Sequence, residues 1–288
     1  MEPQNFFYSE QMPLLTMITD IGEQDFLSGA IKGQFLRYQQ DINIIDITHA
    51  LSAFNYPQAA YVARNAIKNY PTGTFHLILV NIFDEKLDHM LLAEHNGNFI
   101  ACADNGLLTM ILEEMPQKVV ALELENIAQK SALFCTNVIA KAFYELNNGK
   151  TIEEVGNSAV KIIEKNPLRP IVGDNFIDGQ IIFIDNFGNV IVNINKVEFE
   201  ANRKGRKFSI IFKRDEVIDK ISETYSDVGE GDKLAFFNSA GYLEIAINKG
   251  NASTLFGLQG YSEKQQKTLG QQYLNSRLFY QTVKVYFE

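Results

Sequence analysis

The 288-residue chain has no tryptophan and only two cysteines, Cys102 and Cys135. The first absence leaves its surface without indole anchors. The second excludes a disulfide framework and fits a reducing compartment. No stretch approaches the roughly 20 apolar residues of a membrane span. The opening stretch MEPQNFFYSEQM lacks the basic start and continuous apolar core of a signal peptide, so a cytoplasmic location is expected. Basic charge is also scarce: 26 Lys and Arg against 35 Asp and Glu leave a net charge of −9, which argues against nucleic acid or an anionic membrane as partner. Two cysteines and four scattered histidines give no cluster with zinc-ligand spacing, and no metal is expected. There is no internal repeat or low-complexity tract. What is present is an ordinary globular balance, 46% hydrophobic and 21% charged, over a length that suggests about two domains.

The first half alternates strand-like and helix-like runs. Residues 14–22 (LLTMITDIG) read as a buried strand that stops on Asp20, and 25–39 place Phe26, Ala30, Ile31, Phe35 and Leu36 at helical spacing. A strand at 42–47 ends in Thr48-His49, and a helix at 58–69 follows. The apolar run 75–83 (FHLILVNIF) reads as a strand buried on both faces. After 91–98 comes a strand at 99–103, which stops on Asp104-Asn105-Gly106 before a helix at 107–114. Alternation through about residue 165 calls for a parallel or mixed sheet with covered faces. Four strand ends then carry polar groups: Asp20, Thr48-His49, Asn81 and Asp104-Asn105. Gathered at one sheet edge, they would line a crevice for a polar small molecule. The alternative for each is that it caps the helix or turn that follows.

Prolines and glycines break the pattern at 166–179 (NPLRPIVGDNFIDG), and helical periodicity ends there. Short strand-like runs follow at 180–185, 190–194, 207–212, 233–237, 242–248 and 277–287, with hairpin turns at 186–189 (NFGN) and 238–241 (NSAG). The expected architecture is an α/β domain at 13–165, with a parallel or mixed sheet flanked by helices. A linker at 166–179 leads to a smaller all-β domain at 180–288, an antiparallel barrel or sandwich.

The pieces ITDIG (18–22), FLSGAIKG (26–33), IDITH (45–49), DNGLLT (104–109), IDNFGNVIVNI (184–194) and GYLEIAINKGNAS (241–253) occur in a known order. In them the chain resembles the S-adenosylmethionine hydroxide adenosyltransferase family, whose relatives include fluorinase and chlorinase. The resemblance implies a homotrimer, with S-adenosylmethionine or adenosine bound between the α/β domain of one chain and the β domain of its neighbour. It places Asp20 on the ribose hydroxyls, Asp185 on the methionine ammonium, Asn189 on the adenine edge and Ser239 on the adenosine side. A carboxylate suits paired hydroxyls or an ammonium, and an amide suits an edge that donates and accepts. No cofactor is implied beyond S-adenosylmethionine itself.

The family's Asp–Arg–His set, which prepares water or hydroxide for attack on C5′, is changed at all three positions. Asn81 stands for the Asp, Asp88 for the Arg and Cys135 for the His, and the glycine-rich turn after the Asp is gone. A missing general base costs about 10²–10⁴-fold in rate. Two main readings follow: a divergent hydrolase forming adenosine and L-methionine, with water placed by Asn81 and nearby amides, or a non-catalytic binding protein of the same fold. A third is a different nucleophile or substrate in a remodelled pocket. His89 could serve as a base if the altered loop folds differently, the alternative being a solvated loop histidine. The default reading of Cys135 is a small buried apolar residue, since nothing near it in sequence favours a thiolate.

Overall fold

The computed structural model describes residues 12–85, 88–124, 131–213, 216–260 and 281–288. They divide into two compact units, one of residues up to Phe54 with Val62–Asn166, the other of Asn55–Tyr61 with Pro167–Glu288.

The first unit is built from β1 (Leu14–Thr19), α1 (Leu27–Tyr38), β2 (Asn43–Thr48), the second half of α2 (Tyr56–Ile67), β3 (Phe75–Leu79), β4 (His89–His95), β5 (Asn98–Ala103), α3 (Leu107–Leu112), β6 (Lys118–Glu123), α4 (Ala132–Asn147) and α5 (Ile152–Val155). Its six strands lie in the order β2-β1-β3-β5-β4-β6. β1, β2, β3 and β5 are parallel, and β4 runs against its neighbours β5 and β6. Asn96 (φ 49°) and Gly97 (φ 74°) supply the two left-handed residues that close β4 and β5 into a hairpin. That turn interrupts the alternation of strand and helix and makes the sheet mixed.

Every residue of β3 is buried, as a continuous apolar run at the centre of a sheet should be. The strand stops at Leu79, short of the 75–83 run, because Asn81 enters the left-handed region (φ 50°) and Phe83 turns out to solvent. Phe75 meets Phe143 of α4 and Phe35 of α1 edge-on, with ring centres 4.6 and 6.5 Å apart. Such pairs add about 0.5–1.5 kcal/mol beyond area burial. Around them Leu15, Met17, Leu77 and Ile139 complete one core.

The second unit contains β7 (Ile171–Val172), β8 (Phe176–Ile184), β9 (Val190–Asn195), α6 (Lys196–Arg203), β10 (Phe208–Lys213), β11 (Glu216–Ile218), β12 (Lys233–Phe237), β13 (Tyr242–Ile247), α7 (Ala252–Phe256) and β14 (Thr282–Phe287). All of its strand pairs are antiparallel, in the order β11-β10-β14-β8-β9-β13-β12, with β7 added on β8. A bridge from Ile221, just past β11, to Ala235 of β12 brings the two ends of the sheet together, so the sheet is barrel-like and nearly closed. The stretch 166–179 itself holds β7 and the start of β8. The final strand begins at Thr282; residues 277–280 of the expected run lie outside the described residues. Among the described residues no helix is long and apolar enough to cross a membrane.

Candidate functional site

Because β1, β2, β3 and β5 point the same way, the polar residues that follow them meet at one edge of the sheet. The N–H of Asn81 donates to Asp20 Oδ2 at 2.9 Å, and Asn81 Oδ1 accepts the N–H of Phe54 at 2.8 Å. Asn105 Nδ2 donates to the carbonyls of Val80 and Asn81, at 3.0 and 3.1 Å. Asp20 does not cap α1: the N-cap position is Phe26, and Asp25 Oδ1 accepts the Leu27 N–H. Asn105 both caps, accepting the Leu107 N–H, and ties the edge together. Burial lifts the Asp20 carboxyl above the ordinary carboxylate range, against the pull of the Asn81 N–H.

Two histidines join this edge. His49, after β2, is 2% exposed; its Nδ1 bonds Thr19 Oγ1 at 2.9 Å and its Nε2 lies 3.2 Å from Asp46 Oδ1. Burial opposes ionisation of Asp46, but Lys32 and His49 together hold that carboxyl below its usual range. His89 opens β4, the reversed strand, and so stands where the parallel strands finish. Its Nε2 is 3.1 Å from Asp104 Oδ2, while Asp104 Oδ1 accepts the Ile163 N–H at 2.7 Å. The bond to Asp104 raises the His89 pKa, burial works against it, and the charges of Glu123 and Asp88 add to the rise.

The second unit carries its own polar cluster. Asp185 Oδ1 accepts the N–H groups of Phe187 and Asn189, and Asp185 Oδ2 accepts Asn189 Nδ2 at 3.1 Å. Asn189 Nδ2 also donates to Tyr225 Oη at 2.9 Å, and Tyr225 Oη–H donates to Glu244 Oε1 at 3.1 Å. With both amide hydrogens used, Oδ1 is the Asn189 atom left for a ligand. Burial raises the Glu244 carboxyl, and burial with the Glu244 charge pushes the Tyr225 hydroxyl up to about 12. Neither Asp185 nor Glu244 forms an ion pair among the described residues. Asn238 Nδ2 donates to Tyr61 Oη at 3.2 Å, and Ser239 is exposed in the turn that follows.

Residues 15–156 match the SAM hydroxide adenosyltransferase N-terminal domain, and residues 179–264 match the C-terminal domain of the same family. The chain belongs to the SAM hydroxide adenosyltransferase family. Its relatives include an (R)-S-adenosyl-L-methionine hydrolase of Methanocaldococcus jannaschii, 27% identical over 88% of this chain and 95% of that protein. A fluorinase of Actinopolyspora mzabensis is 22% identical over 87% of this chain and 96% of its own length. In fold the chain is similar to an uncharacterized conserved protein from Thermotoga maritima, with TM-score 0.77 and 22% identity over 94% of this chain and 99% of that one.

Of the positions set against the family's Asp–Arg–His set, the structure draws only part together. Asn81 lies on the edge beside Asp20, and Asp88 immediately precedes His89 there. Cys135, in the first turn of α4, is fully buried and belongs to the hydrophobic core of the first unit. Among the described residues no three His, Cys, Asp or Glu side chains stand together as metal ligands do. Sequence reasoning passed over Asp104 as a partner for His89 and missed Glu244 and Tyr225 altogether. Glu244 left a signal: a lone carboxylate in the otherwise apolar run of β13, YLEIAI. The His89–Asp104 pair depends on the hairpin register, which pairs Met90 with Ala103 and so sets His89 opposite Asp104.

Proposed function

We propose that this member of the family binds S-adenosylmethionine and hydrolyses it to adenosine and L-methionine. The observation that carries the reading is the meeting of Asp20, Asn81, Asp104-Asn105 and His89 at one carboxyl edge of the sheet, in a chain that matches both family domains. Ligands of open α/β sheets bind beyond that edge. Asp20 takes the ribose hydroxyls. In the second unit the carboxylates of Asp185 and Glu244, without a cation partner among the described residues, suit the ammonium of the methionine moiety. Asn189 Oδ1 accepts from the adenine amino group, and Ser239 lies on the adenosine side.

The reaction is an in-line displacement by water and needs no cofactor. We further propose a homotrimer in the cytoplasm, each site using the first unit of one copy and the second unit of its neighbour. Two observations support association: Phe26, Phe54 and Phe83 are exposed on loops after β1, β2 and β3, and Phe187 and Leu255 are exposed in the second unit. Among the described residues Cys102 and Cys135 are buried and form no disulfide, consistent with a reducing compartment.

The test is incubation of the purified full chain with S-adenosylmethionine, following adenosine and methionine against a protein-free control. Equal release of both, abolished by Asp20→Ala, supports the reading. Retention of bound S-adenosylmethionine without release refutes hydrolysis and leaves a binding protein. Sedimentation of the same sample decides the trimer.

A further inference from the structure

Of the four histidines, three are already committed. His76 is wholly buried, with Nδ1 2.7 Å from Thr16 Oγ1. His95 ends β4 at the opposite edge of the sheet, where its Nε2 lies 3.2 Å from Glu114. Both nitrogens of His49 face Thr19 and Asp46. His89 differs. It is at the carboxyl edge, its ring is 22% exposed, and its bond to Asp104 uses Nε2 alone. Among the described residues nothing bonds Nδ1.

The anchor is firm. Asp104 is 9% exposed in its side chain and holds the Ile163 N–H with one oxygen and His89 with the other. A carboxylate on one ring nitrogen fixes the tautomer and leaves the other nitrogen basic. Contacts run on from this pair along the edge: Asn105, next to Asp104, bonds the Asn81 carbonyl, and the Asn81 N–H bonds Asp20. In the strand order β1-β3-β5-β4, His89 is three strands from Asp20. At about 4.8 Å per strand that is about 14 Å between backbones, room for two side chains and a ribose between them.

We infer that His89, positioned by Asp104, is the group that takes the proton from the attacking water in this chain. The inference rests on the hydrolysis proposed above. The water oxygen bonds to C5′ as the C5′–sulfur bond breaks. The electron pair of that bond goes to the sulfonium, which becomes the neutral thioether of methionine. The water proton passes to His89 Nδ1 and then to solvent, so the products are adenosine, methionine and one proton. Asn81 has no basic atom for this work, and Cys135 is sealed in the core. The charged groups facing His89 are Asp104 just past the end of β5, Glu123 opposite it on β6 and Asp88 beside it. All three are acidic and favour the protonated ring, so the base form and the rate grow as pH rises through the raised pKa.

The experiment measures initial rates of adenosine and methionine release by the full chain from pH 5.5 to 9, for wild type, His89→Gln and Asp104→Asn. A general base contributes about 10²–10⁴-fold, so His89→Gln should lose a factor in that range together with the rising limb. Asp104→Asn should keep the limb but move it to lower pH, because the charge that raises the His89 pKa is gone; a structural role alone would not move it. His89→Gln within threefold of wild type with the same limb overturns the inference and leaves hydrolysis standing. No release by wild type at any pH overturns hydrolysis and the inference with it. If circular dichroism shows His89→Gln unfolded, the Asp104→Asn limb decides, and a limb that stays in place overturns the inference.

Discussion

His76 makes the first unit sensitive to acid in a way that can be worked through. It lies in β3 between β1 and β5, with Thr16 on its Nδ1, the Tyr70 ring 5.8 Å away and no described partner on Nε2. Burial lowers its pKa from 6.5 to about 4. The folded pKa is therefore below the unfolded one, and between the two the unfolded chain binds more protons. Stability from this residue is complete above the unfolded value and is lost as pH falls from about 6.5 towards 4. The shift corresponds to about 3 kcal/mol in full, of which about 2 kcal/mol is lost by pH 5. With a urea slope of about 2 kcal/mol/M, the midpoint of the first unit should drop by about 1 M between pH 7 and pH 5. The absence of tryptophan makes far-UV circular dichroism the suitable probe. His76→Asn keeps a polar atom near Nδ1 for Thr16 but cannot titrate. It should be less stable at pH 7, through the cavity it leaves, yet show a smaller loss on acidification than wild type. Parallel pH profiles for the two proteins would refute the assignment of the loss to His76.

Three further outcomes are expected at the site and in the core. Asp20→Ala should weaken S-adenosylmethionine binding about 10²-fold, since each charged hydrogen bond is worth about 1.5–3 kcal/mol; calorimetry within threefold of wild type would remove Asp20 from the ribose. Asn81→Asp retains an acceptor for the Phe54 N–H and adds a base, so in a His89→Gln background it should restore turnover at least about tenfold. The new carboxylate carries the same charge as Asp20, which bonds the N–H of residue 81, and like charges raise each other's pKa, so this rescue should appear only towards higher pH. Cys135→Ala should lower stability by about 1 kcal/mol and leave turnover unchanged; a tenfold fall in rate with an intact fold would return Cys135 to the chemistry.

What could be read in the sequence was what local pattern encodes. The apolar runs that became β1, β3 and β5, the turns at 186–189 and 238–241, and the polar residues ending the parallel strands all announce themselves within a few residues. So did Asp20 and Asn81, as polar residues at strand ends, whereas Asp185 and Asn189 were singled out only by the resemblance to the family. What escaped was whatever depends on pairing between distant segments. The Asn-Gly turn reversed β4 and put His89 opposite Asp104, a consequence of register that no window of residues shows. Glu244 becomes one member of a polar chain only when β13 lies beside β9 and Tyr225 reaches over both Asn189 and Glu244. Cys135 aligned with a family position by sequence, yet the pitch of α4 turns it to the core.

On the proposed reading, Asn81 changes the chemistry of the site without loss of its frame. Its backbone is left-handed, a conformation that Asn and Asp adopt more readily than other residues with a side chain. From it the N–H reaches Asp20, the carbonyl meets Asn105 and the side-chain oxygen holds Phe54. An aspartate would make each of those contacts as well, so replacing one by the other alters charge and proton affinity while the strand ends stay in place. The frame at 81 is then a reason for retaining this residue type that is independent of catalysis. A charged or proton-accepting group can move elsewhere along the edge provided the geometry there is as firm, and Asp104, bonded to both the Ile163 N–H and His89, gives the reversed strand that firmness. The substitution at 81 is thus compatible with a working hydrolase, and the pH limb of the Asp104→Asn variant is the observation that separates relocated chemistry from lost chemistry.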